Sequence, residues 1–291
     1  MASRIGGAAA RAILLGWIAV LLSVATLHDA VPVNAEDAPP LRVCADPGNL
    51  PFSNDKGEGF ENKLAELIAK DLGRELSYTW FTESTGYVPN TIGKDACDLV
   101  MGYAQGTGLI DDTNPYYYTS YVLITRADDT SLAGIASLSD PRLRSKSIGL
   151  VAHTPPASIL SMHGLIGNMK PFDFRSGESQ SNMAQTMIGE IESGQLDAGI
   201  LWGPVGGYYA ARADVPLVVT PLVKESAGPT TFYGITFGIR PNEPQFKHQV
   251  NKVLADNRDR IISILQDYDV PVLDQDGQPV ATGSAGAQPG Q

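Results

Sequence analysis

The stretch at residues 41–60, LRVCADPGNLPFSNDKGEGF, constrains the fold of this chain more than any other. Its first residues alternate apolar and polar side chains, which predicts a β-strand. The Pro and Gly residues that follow can continue neither a strand nor a helix, so they predict a shaped loop. A helix is predicted to begin at Phe60, which places the loop at the carboxyl end of a strand. Ligands of open α/β sheets bind at this end of the strands.

The rest of the chain alternates strands and helices, the order that is typical of parallel sheets with right-handed crossovers. Apolar spacing and Pro or Gly boundaries define the other elements. The predicted helices and helical turns are 60–72, 87–92, 138–144, 154–162, 183–191, 204–212 and 246–268, and the predicted strands after the first are 76–81, 98–103, 121–126, 147–151, 171–174, 197–202, 216–219 and 231–240.

The order of these elements predicts two α/β lobes, because the first unit resumes after the second. We assign 36–125 together with 232–273 to lobe 1, and 126–231 to lobe 2. Each lobe is expected to be a mainly parallel sheet flanked by helices, and two hinge crossings near 124–128 and 230–236 join them. Such a layout forms a cleft that is lined by loops of both lobes and closes at a hinge.

Both ends of the chain are predicted to lie outside this fold. An apolar run at 12–24, preceded by two arginines and followed by small residues, predicts a secretory signal peptide at 1–35 and a periplasmic protein. The alternative is a retained N-terminal anchor, which the shortness of the run disfavours. Residues 274–291 are rich in Gly, Gln, Pro and Ala, and we expect a disordered tail there.

Net charge and cysteine content limit the partners and the compartment. The net charge of −11 at pH 7 disfavours nucleic acid and anionic lipid as partners and favours a basic protein. In an oxidising compartment, the pair Cys44 and Cys97 predicts a disulfide. It would close a loop of roughly 50 residues and contribute about 4 kcal/mol. The alternative is two separate thiols, buried or bound to a metal.

The chain contains none of the motifs that carry common enzyme chemistry. A nucleophile elbow, a P-loop and a dinucleotide fingerprint are all missing from the sequence. After residue 35 the histidines are His153, His163 and His248, and their spacing does not suit zinc. We therefore expect a protein that is not an enzyme and has neither a metal nor a cofactor.

Candidate residues for a ligand- or partner-binding cleft lie where the predicted strands end or the helices begin. The loop at 46–52 is expected to face the cleft, although it can also be a purely structural turn. Glu61 is favourable at the positive end of a helix dipole in any case. Thr154 is a candidate N-cap, which exposes helix N–H groups to an anion. The candidates in these segments are Asp46, Asn49, Phe52, Glu61 and Thr154.

The other candidates are mostly aromatic. Tyr103 ends a predicted strand, and a cluster of four tyrosines at 116–121 is too large to be buried on one face. Tyrosine clusters suit binding surfaces because they are amphipathic, although core packing accounts for part of this cluster. Asp197 and Trp202 flank a predicted strand, and a small-residue segment follows it. The candidates here are Tyr103, Tyr116, Tyr117, Asp197, Trp202 and Tyr208.

Four longer stretches resemble one family over nearly the whole chain after residue 35. They are LRVCADPGNLPFSNDKGEGFENKLAELIAKDLG, CDLVMGYAQG, PYYYTSYVLITR and GQLDAGILWGPVGGYYA. Together they are similar to type-II periplasmic substrate-binding proteins of the family 3-like ABC-transporter superfamily, and in particular to the quinoprotein-dehydrogenase-associated MxaJ/XoxJ type. This resemblance implies a two-lobed periplasmic protein that binds a PQQ-dependent methanol dehydrogenase, with or without its cytochrome c, and assists its maturation or activation.

One departure from the transport relatives bears on the function. Amino-acid-binding relatives usually carry an Arg after the third strand that clamps the ligand carboxylate, but residues 103–115 contain no Arg or Lys. The expected pocket is therefore aromatic and neutral to acidic. Two alternatives remain open: a solute-binding subunit of an ABC transporter for a solute without a carboxylate clamp, and a carrier of PQQ, a tricarboxylate that a cation-poor cleft disfavours.

Overall fold

The computed structural model describes residues 38–83, 86–106, 108, 110–173 and 180–281. The predicted signal peptide and the end of the predicted tail lie outside these residues. Within the described ranges, none of the helices has the length and apolar character needed to cross a membrane.

The described residues form strands and helices that alternate along most of the chain. The strands are β1 Leu41–Ala45, β2 Gly48–Asn49, β3 Ser53–Asn54, β4 Leu76–Trp80, β5 Leu99–Ala104, β6 Asp111–Asp112, β7 Tyr117–Arg126, β8 Ile148–Val151, β9 Met169–Phe172, β10 Ala198–Trp202, β11 Leu217–Pro221 and β12 Phe232–Ile239. The helices are α1 Phe60–Asp71, α2 Tyr87–Asn90, α3 Pro155–Met162, α4 Gln180–Glu192, α5 Gly203–Ala210, α6 Pro244–Asp256 and α7 Arg258–Asp267.

Most predicted elements are present within a few residues of their predicted bounds. Gly73 and Gly194 end α1 and α4 with φ of +64° and +72°, a conformation that glycine adopts at little cost. The predicted helix at 246–268 is a pair, because it is interrupted at Asn257. The strand predicted at 171–174 lies two residues earlier, and Phe174 is outside the described residues.

Lobe 1 is built on three parallel strands. Strand β1 lies between β4 and β5, with Val43 opposite both Tyr78 and Leu99. Strand β12 continues the sheet antiparallel to β5, with a bulge between Thr236 and Gly238. The parallel sheet that the sequence predicts is confirmed, and all three parallel strands present their carboxyl ends at one edge.

Strand β7 belongs to both lobes. Residues 117–120 pair antiparallel with β12, and residues 122–125 pair antiparallel with both β10 and β11. The chain thus passes from one sheet to the other at Ser120 and Tyr121, earlier than the predicted crossing at 124–128. The aromatic half of this segment, which was expected to precede the strand, is part of it, because β-branched and aromatic residues both suit a pleated surface.

Lobe 2 has the same organisation, with β8 parallel to both β10 and β9. Helix α4 packs closely on this sheet at two glycines of adjacent strands: a Cβ at Gly199 would lie 2.8 Å from Met187 Sδ, and one at Gly149 would lie 3.1 Å from Met187 Cγ. Ile159, Leu160, Ile200 and other buried residues form a separate apolar cluster of this lobe.

The largest apolar cluster is continuous through both lobes. It contains Phe60 and Phe237 of lobe 1 and Met187 and Ile191 of lobe 2. Helix α5 contributes Val205 and Tyr209, and the segment after α7 contributes Val270 and Val272. The two lobes are therefore joined by packed side chains in addition to the strands that cross between them.

The prediction of a disordered tail from residue 274 is wrong for residues 274–281. Asp274 accepts hydrogen bonds from the backbone N–H groups of Asp276 and Gln278, and the Val280 N–H bonds to Val272. Val280 also packs against the main apolar cluster. This apolar side chain and the Asx turn outweigh the low-complexity composition of the segment. Residues 282–291 lie outside the described part.

The predicted disulfide between Cys44 and Cys97 is present, with the two Cα atoms 5.6 Å apart. It links Cys44 of β1 to Cys97, which lies two residues before the start of β5. Both half-cystines are buried in a small cluster with Tyr87, Val88 and Ile92 of the segment that follows β4. The disulfide therefore anchors the part of lobe 1 that adjoins the candidate site.

Candidate functional site

The loop after β1 is held by its own polar side chains and by the loop after β4. The Asp46 carboxylate accepts hydrogen bonds from the N–H of Gly48 (2.8 Å) and from the N–H of Glu83 (2.6 Å). Asn49 Nδ2 donates to Glu83 Oε2 at 3.0 Å. Two loops at the carboxyl ends of neighbouring strands are thus tied together, and their acidic side chains are brought to the same place.

The same loop fixes the start of α1. The N–H groups of Phe60 and Glu61 donate to the carbonyls of Pro51 and Phe52, at 2.9 and 2.8 Å. This contact needs glycine at position 59, because a Cβ there would lie 2.0 Å from the Phe52 carbonyl oxygen. The first N–H groups of the helix are therefore used inside the protein, and Glu61 begins its helix beside the loop.

Glu61 is a buried carboxylate without a partner. The residue is 8% exposed, and its side chain forms no hydrogen bond or ion pair with any described residue. It packs against Gly102, where a Cβ would lie 2.3 Å from Glu61 Oε1 and where φ is +71°. Burial, and secondarily the charge of Glu83, raises the pKa of Glu61 well above its usual value.

Glu83 is the second perturbed acid. The residue is exposed, but desolvation still acts on its carboxylate, which accepts the hydrogen bond from Asn49. This desolvation and the nearby charge of Asp46 raise the pKa of Glu83 to about 7, while the hydrogen bond from Asn49 opposes the shift. Asp46, Glu61 and Glu83 are called the acidic cluster below.

The charges of the acidic cluster act on two tyrosines. Burial raises the pKa of Tyr87 and Tyr103, and the charges of Glu83 and Glu61 raise it further. Both phenols therefore stay protonated at physiological pH and can donate hydrogen bonds. Tyr103 is half-buried, while Tyr87 is buried beside the disulfide.

A second aromatic group lies where the two sheets join. Trp202 at the end of β10 is opposite Tyr121 of β7, and the ring centroids are 5.2 Å apart. Tyr233 of β12 packs edge-on against Trp202 at 5.7 Å. All three residues are half-buried. Tyr121, Trp202 and Tyr233, called the aromatic face below, offer apolar surface with polar tips, a combination that suits a binding surface.

The predicted site residues are only partly brought together. Asp46, Asn49, Glu61 and Tyr103 lie at or beside the acidic cluster, and Trp202 lies on the aromatic face. We expected Tyr116 and Tyr117 to be surface candidates, but they are 7% and 4% exposed and belong to the main core. Phe52 is also a core residue and packs against Phe60, with centroids 5.3 Å apart.

Two predicted residues in lobe 2 have structural roles instead. Asp197 lies before β10, at the amino end of the strand, where it accepts hydrogen bonds from the N–H and hydroxyl of Ser147. Asp197 and Trp202 flank β10, as the sequence predicted, so the two side chains lie at opposite ends of the strand. Thr154 is the N-cap residue of α3, yet its hydroxyl donates to the Val151 carbonyl at 2.6 Å and caps no helix N–H group.

Tyr208 lines a different depression, a groove of about 380 Å³ between α4, α5 and Leu50. Its ring stacks under the Arg212 guanidinium at 3.6 Å, and Arg212 also pairs with Asp269. In the same region, Ser181 and Tyr209 donate hydrogen bonds to the Leu50 carbonyl across the two lobes, at 2.9 and 3.4 Å. This groove is separate from the acidic cluster.

Sequence reasoning missed Glu83, Tyr87 and Gly102. Glu83 follows β4 at the carboxyl edge of the sheet, so the rule that located Asp46 could also have located it. A hydrophobic pattern cannot reveal Tyr87 and Gly102, because their role depends on contacts with distant residues. Among the described residues, no set of three or more His, Cys, Asp or Glu side chains converges to hold a metal ion.

The fold and its candidate site define a class of protein: two α/β lobes joined by crossing strands, with polar and aromatic side chains at the carboxyl edge, as in periplasmic binding proteins. The chain belongs to the bacterial extracellular solute-binding proteins, family 3, whose model matches residues 41–263. The predicted resemblance to the MxaJ/XoxJ type is confirmed by the similar proteins described next.

Three similar proteins have names of this type. The periplasmic binding protein XoxJ from Methylobacterium extorquens AM1 is 38% identical, with a TM-score of 0.68 over 81% of this chain and 100% of that chain. MxaJ from Methlophaga aminisulfidivorans MPT is 25% identical, with a TM-score of 0.69 over 80% and 100%. Protein MoxJ of Methylorubrum extorquens AM1 is 29% identical over 252 residues, which is 81% of this chain and 83% of that protein.

Proposed function

We propose that this chain is a non-catalytic periplasmic accessory protein that binds a PQQ-dependent methanol dehydrogenase and assists its maturation or activation. The observation that carries the proposal is the 38% identity to XoxJ over the whole length of that protein. The implied association with quinoprotein dehydrogenases comes from the family resemblance of the long motifs described above.

The chemistry of the candidate site supports a protein partner over a free amino acid. A carboxylate ligand needs a fixed cation, ideally a bidentate arginine. No Lys or Arg of the described residues pairs with Asp46, Glu61 or Glu83, and these three acids would repel a carboxylate. The aromatic face offers apolar surface for a protein segment instead.

The same charges disfavour a PQQ carrier, because PQQ is a tricarboxylate. A solute-binding subunit of an ABC transporter remains the second candidate, because the chain belongs to a solute-binding family. It would serve a solute without a carboxylate. The fold and the perturbed acids do not by themselves indicate catalysis, since burial and a neighbouring carboxylate account for the pKa shifts of Glu61 and Glu83.

The test mixes the protein with the purified PQQ-dependent methanol dehydrogenase of the same organism, in apo and holo forms. Light scattering after gel filtration measures the complex, and dye-linked methanol oxidation measures activity at low and high salt. We expect a salt-sensitive complex and a higher rate of holoenzyme formation.

Two tryptophans provide matched variants for this test. Trp202→Ala removes the centre of the aromatic face and should weaken the complex at least tenfold, whereas Trp80→Ala removes an exposed tryptophan of the edge strand β4 and should not. If neither form of the dehydrogenase binds or changes its activity, the accessory role is excluded. Solute screening by thermal shift would then test the transport alternative.

A further inference from the structure

We propose that the outer edge of strand β4, Leu76–Trp80, pairs with the same strand of a second copy of this chain. The two strands run antiparallel about Tyr78 and join the lobe 1 sheets of both copies into one continuous sheet. The proposal goes beyond the proposed function and does not depend on it. Strands β1, β5 and β12 separate β4 from β7, so the aromatic face stays free when the edge is occupied.

The first argument is a row of backbone groups on β4 that have no partner. Strand β4 is the last strand of its sheet and pairs with β1 on one side only. The Phe81 N–H donates to the Ala45 carbonyl of β1, and backbone groups alternate in direction along a strand. The N–H and C=O groups of Leu76, Tyr78 and Trp80 therefore point away from β1, and none of them bonds to another residue in the described ranges. Such a row is a template for a further strand.

The second argument is that two other outer strands are protected against pairing, whereas β4 is not. Proteins block free sheet edges with lysine, proline or a bulge. Strand β9, at the other end of the sheet, carries Lys170 and Pro171, and β11 ends at Pro221. The sequence of β4, LSYTW, contains neither lysine nor proline, and its register with β1 is regular from Leu76 to Trp80. The edge of β4 is therefore open to another strand.

The third argument is that the side chains of β4 are self-complementary. Tyr78 and Trp80 stack with ring centroids 4.5 Å apart, and Trp80 is 37% exposed. In an antiparallel pair centred on Tyr78, Trp80 of each copy lies opposite Leu76 of the other, on the same face as both tyrosines. On the other face Ser77 lies opposite Thr79. Aromatic pairs and hydroxyl pairs of this kind stabilise neighbouring strands, so a second copy fits both faces of the edge.

The charges beside the edge permit a second copy in spite of the net charge of −11. In the antiparallel register, Glu75 lies opposite Phe81 of the copy and Glu83 lies opposite Gly73, so neither flanking acid faces another acid. The remaining repulsion acts between more distant charges, and salt screens it beyond about 8 Å. Association of two copies should therefore strengthen as salt is added, whereas the complex with the dehydrogenase is expected to weaken.

Sedimentation velocity over a wide range of protein concentration tests the proposal. We expect a monomer at low concentration and a dimer at high concentration, with a larger fraction of dimer at high salt. Tyr78→Lys places two like charges opposite each other at the centre of the strand pair and should weaken the dimer about tenfold. Val218→Lys makes the same change at an exposed apolar position of β11 and should leave the dimer unchanged.

A cross-link tests the register itself and does not depend on the folding of the Tyr78→Lys variant. The two cysteines of the chain form the disulfide, so an introduced cysteine supplies the free thiol. In Tyr78→Cys, the Cα atoms of the two copies would lie about 5.5 Å apart, a separation that a disulfide can bridge. Mild oxidation should therefore produce a covalent dimer faster in Tyr78→Cys than in Val218→Cys.

Three results would overturn the proposal: a monomer at every concentration, a dimer that Tyr78→Lys leaves unchanged, or equal rates of cross-linking in the two cysteine variants. If the wild-type protein is monomeric and Tyr78→Lys abolishes the complex with the dehydrogenase, the edge belongs to that partner and not to a second copy. Dimerisation without any dehydrogenase complex would exclude the accessory role and leave the strand pairing intact.

Discussion

Glu61 illustrates at the scale of one residue how the surroundings decide a side chain's chemistry. An acid in the first turn of a helix is ordinarily a favourable, solvated charge. In this protein the loop carbonyls of Pro51 and Phe52 accept from the helix N–H groups, and the carboxylate is buried against Gly102. Ionisation of Glu61 therefore opposes folding, and the contribution of this residue to stability depends on pH.

Glu61→Gln should stabilise the protein at pH 8 and not at pH 4. The raised pKa means that the folded state binds the proton more tightly than the unfolded state. Stability from this group is thus complete below the ordinary pKa of glutamate and falls as the pH rises towards the raised value. Thermal unfolding followed by circular dichroism measures the difference in melting temperature between the variant and the wild-type protein at each pH. Glu66→Gln, at an exposed position of the same helix, is the control, and an equal gain at both pH values would contradict the argument.

Asp98 is the opposite case, an enclosed acid with many partners. Its carboxylate pairs with Arg42 at 2.6 Å, Arg74 at 3.0 Å and Arg240 at 3.2 Å, and its side chain is 8% exposed. Burial alone would raise the pKa of Asp98, but the hydrogen bonds from Arg42 dominate and lower it.

Asp98→Asn should therefore cost about 3 kcal/mol of unfolding free energy, because it leaves three guanidinium groups around a neutral amide. The neighbouring Asp95, with a side chain 71% exposed, contacts two of the same arginines. Asp95→Asn should cost much less, because solvent screens the charge of an exposed carboxylate. Urea unfolding at pH 7 measures the unfolding free energy of both variants. Equal losses would show that the enclosure of the Asp98 carboxylate is unimportant.

At the scale of elements, the disulfide joins β1 to the start of β5 and packs against the segment after β4. It closes a loop with a sequence separation of 53 residues. Tyr87 and Val88 of the short helix α2, and Ile92 just after it, pack in one apolar cluster with the two half-cystines. The disulfide should therefore support the loop that carries Glu83 as well as the two strands.

Removal of the disulfide by Cys44→Ala with Cys97→Ala should lower the unfolding free energy by about 4 kcal/mol, from the entropy that the unfolded chain regains. Guanidinium unfolding of the double variant, compared with the oxidised wild-type protein, measures this loss. Reduction of the wild type should have a similar effect without any change of sequence. A loss below about 1 kcal/mol would show that the cross-link contributes little.

At the scale of the whole molecule, the two lobes share one apolar cluster and are tied by the Leu50 hydrogen bonds. Domains connected only by linkers move and unfold independently by default. Here Val205 and Tyr209 of α5 pack in the same cluster as Phe60 and Phe237, so disruption of one lobe removes packing from the other.

We therefore expect the lobes to unfold in one cooperative transition. Trp80 lies in β4 at the outer edge of the lobe 1 sheet, and Trp202 lies in β10 of lobe 2, where the two sheets join, so the two tryptophans report on different parts of the fold. In Trp202→Phe and Trp80→Phe variants that begin at residue 36 and therefore lack Trp17, the remaining tryptophan should give the same denaturant dependence by fluorescence as the backbone gives by circular dichroism. Two separate midpoints within one variant would show that the lobes unfold independently.

The order of strands and helices was predictable because it depends on local patterns. Apolar spacing located α1 and α4, and the glycines at 73 and 194 marked their ends. The parallel sheets followed from the alternation of elements, and the disulfide from a single cysteine pair in a chain that is predicted to be exported. The exact crossing at Ser120 was not predictable, because aromatic residues suit a strand and a binding surface equally well.

By itself, the sequence determined the family, the order of elements and the loop at the carboxyl end of β1, since each is encoded in residues close together in the chain. Only the tertiary structure decided that Glu83 joins Asp46 and Glu61 and that Tyr116 and Tyr117 are buried. Burial and charge at a site are sums over residues that are distant in sequence, and no local pattern contains them.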